Sequence, residues 1–222
     1  MNNKININTE EHWDSKYQNL DVKKVIGGNH RILYERLVDI IFKFHHNSIL
    51  DLGAGIGPIP YLLKKRKFDF NNRRYVCVDF SIHGLKKIKQ MVPEVETIHA
   101  RIDTPLEHTQ LNFSSFDLVL CIEVFEHLTN YITALINCKN YVTETGIIII
   151  SIPFGHIMVK EHYHKIITKE QIISVHKAVD LIPVSVDIID RWIVIKSRTS
   201  KFNGLSKNKR KKSITLLDMR IS

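Results

Sequence analysis

Two groups of residues in this chain of 222 have types and spacings that could do chemistry. The first is Asp51-Leu52-Gly53-Ala54-Gly55-Ile56-Gly57, three glycines at alternate positions directly after a short apolar run. Glycine lets a backbone come close to a ligand, and a helix opening just after it offers unpaired N–H groups to an anionic part of that ligand. The second group is Glu123, Glu126 and His127, with His156, His162 and His164 further along. Carboxylates and imidazoles take protons near neutral pH, and the same groups can hold Mg²⁺ or Mn²⁺.

Those residues need strands and helices to bring them together, and the periodicity supplies both. His30–Phe44 has helical spacing, with Asn29 placed to cap it. Ser48–Leu52 reads as a strand running into the glycine turn, and Pro58–Lys67 as a helix with a basic last turn that suits its dipole. Strands follow at Arg74–Asp79, Val95–His99, Phe116–Ile122 and Gly146–Ile152, with helices at Ser81–Met91 and Asn130–Thr143. The near-continuous apolar strands predict an α/β fold: a doubly wound, mostly parallel sheet with helices on both faces. Thr168-Lys-Glu-Gln171 has the form of a capping box opening a helix to about Ala178. Val184–Ile189 and Trp192–Arg198 are joined by only Asp190 and Arg191, too few for a crossover, so they form an antiparallel hairpin at one sheet edge.

The net charge of +9 invites a nucleic-acid or anionic-membrane reading. Its distribution weakens that reading, because residues 199–222 hold seven basic groups and one acid, which leaves +3 for the rest. A helical lead-in over 1–29, one domain over 30–198 and a basic tail over 199–222 is the economical organisation. A run such as Lys207-Asn-Lys-Arg-Lys-Lys212 is a solvated extension or a contact for RNA or another anionic surface. Cys77, Cys121 and Cys138 are too scattered for a disulfide framework or a zinc site and read as small buried hydrophobes in a reducing compartment. No apolar run approaches the roughly 20 residues of a membrane span, and the expected location is cytoplasmic.

The spacing of the glycine turn narrows the ligand. A dinucleotide fingerprint counted from Gly53 needs a third glycine at position 58, which is Pro58. The motif acid-x-Gly-x-Gly-x-Gly, the strand ending in Asp79, Phe116-Asp-Leu-Val-Leu-Cys-Ile-Glu-Val-Phe-Glu-His-Leu128 and the Gly146–Pro153 strand together resemble the class I S-adenosylmethionine-dependent methyltransferases. The resemblance covers about Ile32 to Arg198 and includes the closing hairpin. It implies a cofactor site at Asp51, Gly53, Ala54, Gly55 and Gly57, with Asp79 at the ribose, Ile102 and Asp103 at the adenine, Glu123 as a wall, and Phe80 and Cys121 also at the cofactor. Arg101 stands near the place where that family has its adenine-binding acid, a departure from the pattern.

The methyl acceptor is expected beyond the fourth and fifth strands, where ligands of open α/β sheets bind. Glu126, His127 and His164 are the candidates for handling its proton, and a small molecule with an O or N acceptor is the leading reading. Glu123 as a cofactor-site wall with His127 as a structural residue is the plainer one. A third arrangement, Glu123, Glu126, His127 and His164 around Mg²⁺ or Mn²⁺, is similar to small-RNA terminal 2′-O-methyltransferases and would make the acceptor an RNA ribose. A non-catalytic module that keeps the fold for binding is an alternative of a different class.

Overall fold

The polypeptide alternates strand and helix from residue 48 onward, as the apolar patterning requires. The computed structural model describes residues 7–106, 111, 115–155, 159–163 and 168–200. The strands are β1 (Ser48–Leu52), β2 (Arg74–Asp79), β3 (Glu96–His99), β4 (Phe116–Ile122), β5 (Val142–Pro153), β6 (Leu181–Ile189) and β7 (Trp192–Thr199). The helices are α1 (Glu10–Asn19), α2 (Val22–Gly27), α3 (Arg31–Lys43), α4 (Pro58–Lys65), α5 (Ile82–Met91), α6 (Tyr131–Tyr141) and α7 (Lys169–Ala178), with a 3₁₀ turn at Phe125–His127. The strands form one sheet in the order β3-β2-β1-β4-β5-β7-β6. Pairing is parallel from β3 through β5 and antiparallel where β7 joins β5 and β6.

Both faces of the sheet are covered, because successive side chains of a strand point to opposite sides. Leu118, Leu120 and Ile122 of β4 pack into the layer holding Leu33, Leu37 and Ile41 of α3 and Leu63 of α4. Val119 and Cys121, between them, pack into the layer holding Leu135 and Cys138 of α6 and Ile172 of α7. Truncating any one of these buried aliphatic side chains to Ala costs about 2–5 kcal/mol. The chain turns one way from β1 to β2 and the other way from β4 to β5, so the carboxyl ends of β1 and β4 flank the crevice at the switch point.

Several boundaries differ from the sequence reading, among them the start of β5, expected at Gly146 and found at Val142. The helix expected to reach Thr143 ends at Tyr141, because the β-branched Val142 already pairs with Phe116 of β4. β6 starts at Leu181 and takes in Pro183, which an edge strand tolerates; the register shifts there. Asn29 does not cap α3: the cap position is His30, which makes no side-chain cap bond and turns its ring toward Trp192. The capping box is present, with Thr168 accepting from Gln171 N and the Gln171 side chain accepting from Thr168 N. His156, His164 and residues 201–222 of the basic tail lie outside the described residues.

Residues 7–29 do not simply precede the sheet. Asp14 of α1 accepts from His83 N at 3.1 Å and from the Ser81 hydroxyl, the residue that caps α5. On its other flank, Asn8 donates to Glu161 O at 2.8 Å and Lys16 reaches the Glu161 carboxylate at 3.3 Å. The helix is thereby strapped across the carboxyl ends of the strands.

The approach of α5 to the glycine turn gives a direct test of this packing. A Cβ on Gly84 would lie 2.4 Å from the Gly55 carbonyl oxygen, a backbone atom that cannot swing away. Gly84→Ala should cost about 1–3 kcal/mol of stability by overpacking, read as a lower urea midpoint. Gly27→Ala, whose Cβ meets nothing within 4 Å, should leave that midpoint nearly unchanged.

Candidate active site

The glycine turn owes its shape to left-handed backbone at three points: φ is +76° at Gly53, +56° at Gly55 and +75° at Gly57. Side chains other than hydrogen are disfavoured there. Gly53 also has no room, since its Cβ would sit 2.6 Å from Val124 Cγ2. Gly53 N and Ala54 N donate to Val78 O at 2.8 and 3.1 Å, which ties the turn to β2. Asp51 is buried beneath it, accepts from the Tyr75 hydroxyl at 2.9 Å, and is pushed up to about 7 by burial despite that bond.

Asp79 closes the turn from the end of β2. One carboxylate oxygen accepts from Gly55 N at 2.7 Å and the other from Ser81 N at 2.8 Å. Burial raises this carboxyl to about 6, the largest effect, while the two backbone N–H groups oppose it. Each oxygen keeps a further lone pair for a ligand hydroxyl. The crevice it borders is lined by Gly53, Asp79, Phe80, Ile102, Asp103 and Glu123. A second chamber on the other side of Gly53 is lined by Asp51, Ala54, Gly55, Tyr17 and Tyr34.

Most residues expected at a cofactor therefore converge on two adjoining chambers, with two exceptions. Gly57 lines neither: it is the N-cap of α4, and its Cβ would strike Ile88 at 2.7 Å, so its role is to shape the turn. Cys121 is fully buried in the core and also lines neither, because its side chain points to the α6 face of the sheet. The departure at Arg101 has a structural counterpart. Arg101 grips Asp103 through two bonds of 3.0 and 2.8 Å and lies over the Phe80 ring at 5.2 Å. Ile102 is buried, and its carbonyl accepts from Asn137 Nδ2 at 2.9 Å.

Glu123 follows β4 with φ +57°, an uncommon conformation for this residue type and one that aims its side chain across the crevice. Ser151 Oγ donates to it at 2.9 Å, Trp192 Nε1 donates to its other oxygen, and His30 Nε2 stands 3.8 Å away. Burial pushes its carboxyl up to about 8 against the two hydrogen bonds. It lines both chambers and also a third cavity of about 500 Å³ on the far side, which includes His30, Glu126, His127, His162 and Trp192. That volume suits a small-molecule site.

Glu126 and His127 sit on the 3₁₀ turn beyond. Glu126 is fully buried and held well above the carboxylate range by burial and then by the charge of Glu123; its Oε2 has no partner among the described residues. His127 Nδ1 faces Glu161 O at 3.3 Å, an arrangement that assigns the proton to Nδ1 and leaves Nε2 as a lone pair toward Glu126 Oε1 at 3.7 Å. Burial and the neighbouring His162 bring this imidazole down to about 4, so it is neutral at physiological pH. Its ring lies between Trp13 and His162, both at 5.0 Å. One potential ligand atom from each of Glu126, His127 and His162 lies within 4.8 Å of the others, whereas Glu123 is committed to Ser151 and Trp192.

Sequence reasoning missed His30, Trp192, Tyr34, Trp13 and Tyr17 as parts of these chambers. The last two carried a signal, since Trp13 and Tyr17 are four apart in a polar helix and so share one face. The others come from distant segments that only the fold brings together.

Residues 50–150 match the family described as a methyltransferase domain. The chain is 27% identical over 143 residues to an uncharacterised protein of Methanocaldococcus jannaschii, covering 63% of this chain and 57% of that one. It is 29% identical over 137 residues to the ubiquinone biosynthesis O-methyltransferase of Rickettsia typhi, covering 55% and 50%. The chain thus spans about half the length of these relatives. Among solved structures, the 1,6-didemethyltoxoflavin-N1-methyltransferase of Burkholderia thailandensis, with its substrate and S-adenosylhomocysteine bound, superposes with a TM-score of 0.63 at 15% identity, covering 86% of each chain. The fold is that of the Rossmann-like class I methyltransferases.

The raised carboxyls predict how stability responds to pH. Glu123 titrates near 4.5 when unfolded and at about 8 when folded, so the folded state holds a proton that the unfolded state releases. Stability from this group is fully present below pH 4.5 and is lost as pH rises through about 8. Glu123→Gln should flatten the fall in the urea midpoint across that window. A slope equal to wild type would mean that the Glu123 carboxyl is ionised in the folded protein throughout.

Proposed function

We propose that the chain is an S-adenosylmethionine-dependent methyltransferase acting on an O or N atom of a small molecule. The observation that carries this reading is the position of Glu123, the shared wall of the cofactor chambers and of the separate third cavity. A ligand on each side could meet at that wall. The cofactor supplies an electrophilic methyl group on a sulfonium, so the protein's task is chiefly to hold an acceptor atom in line with it.

The residues divide that task by position. Gly53, Ala54 and Gly55 give close backbone approach, Asp51 supports the turn from below, and Asp79 offers lone pairs to the ribose hydroxyls. Phe80, Ile102 and Asp103 border the adenine end. On the acceptor side, neutral His127, with its Nε2 lone pair beside the buried Glu126 carboxyl, takes the proton that an O or N acceptor releases. His164, the other candidate for that role, lies outside the described residues. A pool of small metabolites is the corresponding place to look for the acceptor, as the toxoflavin-precursor and ubiquinone-pathway relatives suggest.

A second reading rests on Glu126 Oε2, unpartnered among the described residues, and the nearby lone pair of His127. Glu126, His127 and His162 fit a divalent cation as a three-residue donor set, with His162 in place of the expected His164 and without Glu123. A bound Mg²⁺ or Mn²⁺ would act there as a Lewis acid toward acceptor hydroxyls. The set does not distinguish a metabolite hydroxyl from an RNA ribose, and the basic tail that would favour RNA falls outside the described residues.

Calorimetry with S-adenosylhomocysteine tests the main reading. Wild type should bind, and Gly55→Arg should abolish binding, since even a Cβ there meets the Tyr17 hydroxyl at 3.0 Å. Absence of binding to wild type would sink the proposal. For the metal, Mn²⁺ titration of wild type should show one site that Glu126→Gln removes; equal titrations of the two proteins would dismiss it.

A further inference from the structure

The third cavity has an imbalance of charge that the methyl-transfer reading does not use. Each of its acids faces a partner, Glu126 through Oε1 alone. Glu123 holds Ser151 and Trp192, Glu161 holds Lys16 at 3.3 Å, and Glu126 faces His127. Two of its cations keep donors that no described side chain takes up. The ammonium of Lys24, exposed on α2, has no ion-pair or hydrogen-bond partner among the described residues. Arg191, in the turn between β6 and β7, touches Asp190 only through Nε at 3.4 Å and lies over the Trp192 ring at 5.7 Å. The same cavity has an aromatic wall: the His30 ring, 42% exposed, is backed by Trp192 with centroids 5.0 Å apart.

A ligand entering here meets a flat, half-exposed ring and two cationic groups free to make charge-assisted hydrogen bonds. Resting on the methyltransferase reading, we infer that the acceptor cavity takes a planar aromatic molecule bearing a carboxylate, its ring against His30 and its anionic group on Lys24 and Arg191. The guanidinium offers paired donors suited to a carboxylate, and the lysine adds a point charge. These two side chains then set specificity at a distance from the chemistry at Glu123.

The test uses 2-naphthoate and its uncharged counterpart 2-naphthamide as probes, titrated calorimetrically into full-length protein saturated with S-adenosylhomocysteine. The carboxylate should bind about tenfold more tightly than the amide, the size of one charge-assisted contact. In the Lys24→Gln, Arg191→Gln double variant that preference should shrink to about twofold or less, with affinity for S-adenosylhomocysteine unchanged because neither residue lines the cofactor chambers. Equal binding of the two probes, no binding of the carboxylate, or a preference that survives in the double variant would overturn the inference. If any of these occurs while S-adenosylhomocysteine still binds, only the acceptor class is wrong. Loss of S-adenosylhomocysteine binding in wild type would remove the methyltransferase reading and this inference with it.

Discussion

The carboxylate of Asp79 is the tie on which the rest of the site depends. Its two oxygens accept from Gly55 N and Ser81 N, joining the turn after β1 to the start of the helix after β2. Backbone N–H groups at such places need partners, and a buried carboxylate needs donors, so each requirement answers the other. The tie fixes where the glycine turn stands relative to α5. It also permits the close approach of Gly84 to the Gly55 carbonyl, which any larger residue would forbid.

A second constraint acts at the end of β4. Glu123 adopts a backbone conformation that costs energy for a residue with a side chain, and it persists because Ser151 and Trp192 hold the carboxyl from two other strands. The hairpin of β6 and β7 is therefore part of the site's construction as well as a closing edge of the sheet. By supplying Trp192 from β7 and Arg191 from the preceding turn, it sets one wall of the cavity where the acceptor is proposed to lie. Behind Glu123, Glu126 is buried and His127 partly so, and burial, more than any single charge, governs the protonation of all three.

The N-terminal helix completes the enclosure. Asp14 anchors it over α5 while Asn8 and Lys16 anchor it to Glu161, so Trp13 and Tyr17 are held over the junction of the chambers. A helix this polar would gain little by forming alone. Its order comes from these anchors on both sides of the crevice, which links its position to the loops that border the ligand chambers.

Local pattern was enough to read the elements. The apolar runs of β2 and β4 end at the residues their periodicity indicates, and Gly53, Asp79 and Glu123 stand at strand ends, where open α/β sheets bind ligands. Composition and spacing likewise separated the glycine turn from a dinucleotide site, because Pro58 occupies the position a third glycine would need. The sequence left Cys121 both as a buried hydrophobe and as a cofactor-site residue, and it could not show that Gly57 only shapes a turn or that His30, Trp192 and Tyr17 reach the chambers. It also could not show that His162 stands with Glu126 and His127. Periodicity reports which face of an element is apolar, a property of neighbours in the chain. Which side chains share a cavity depends on crossovers and strand register that bring together residues far apart in the chain, and that was decided only when the sheet formed.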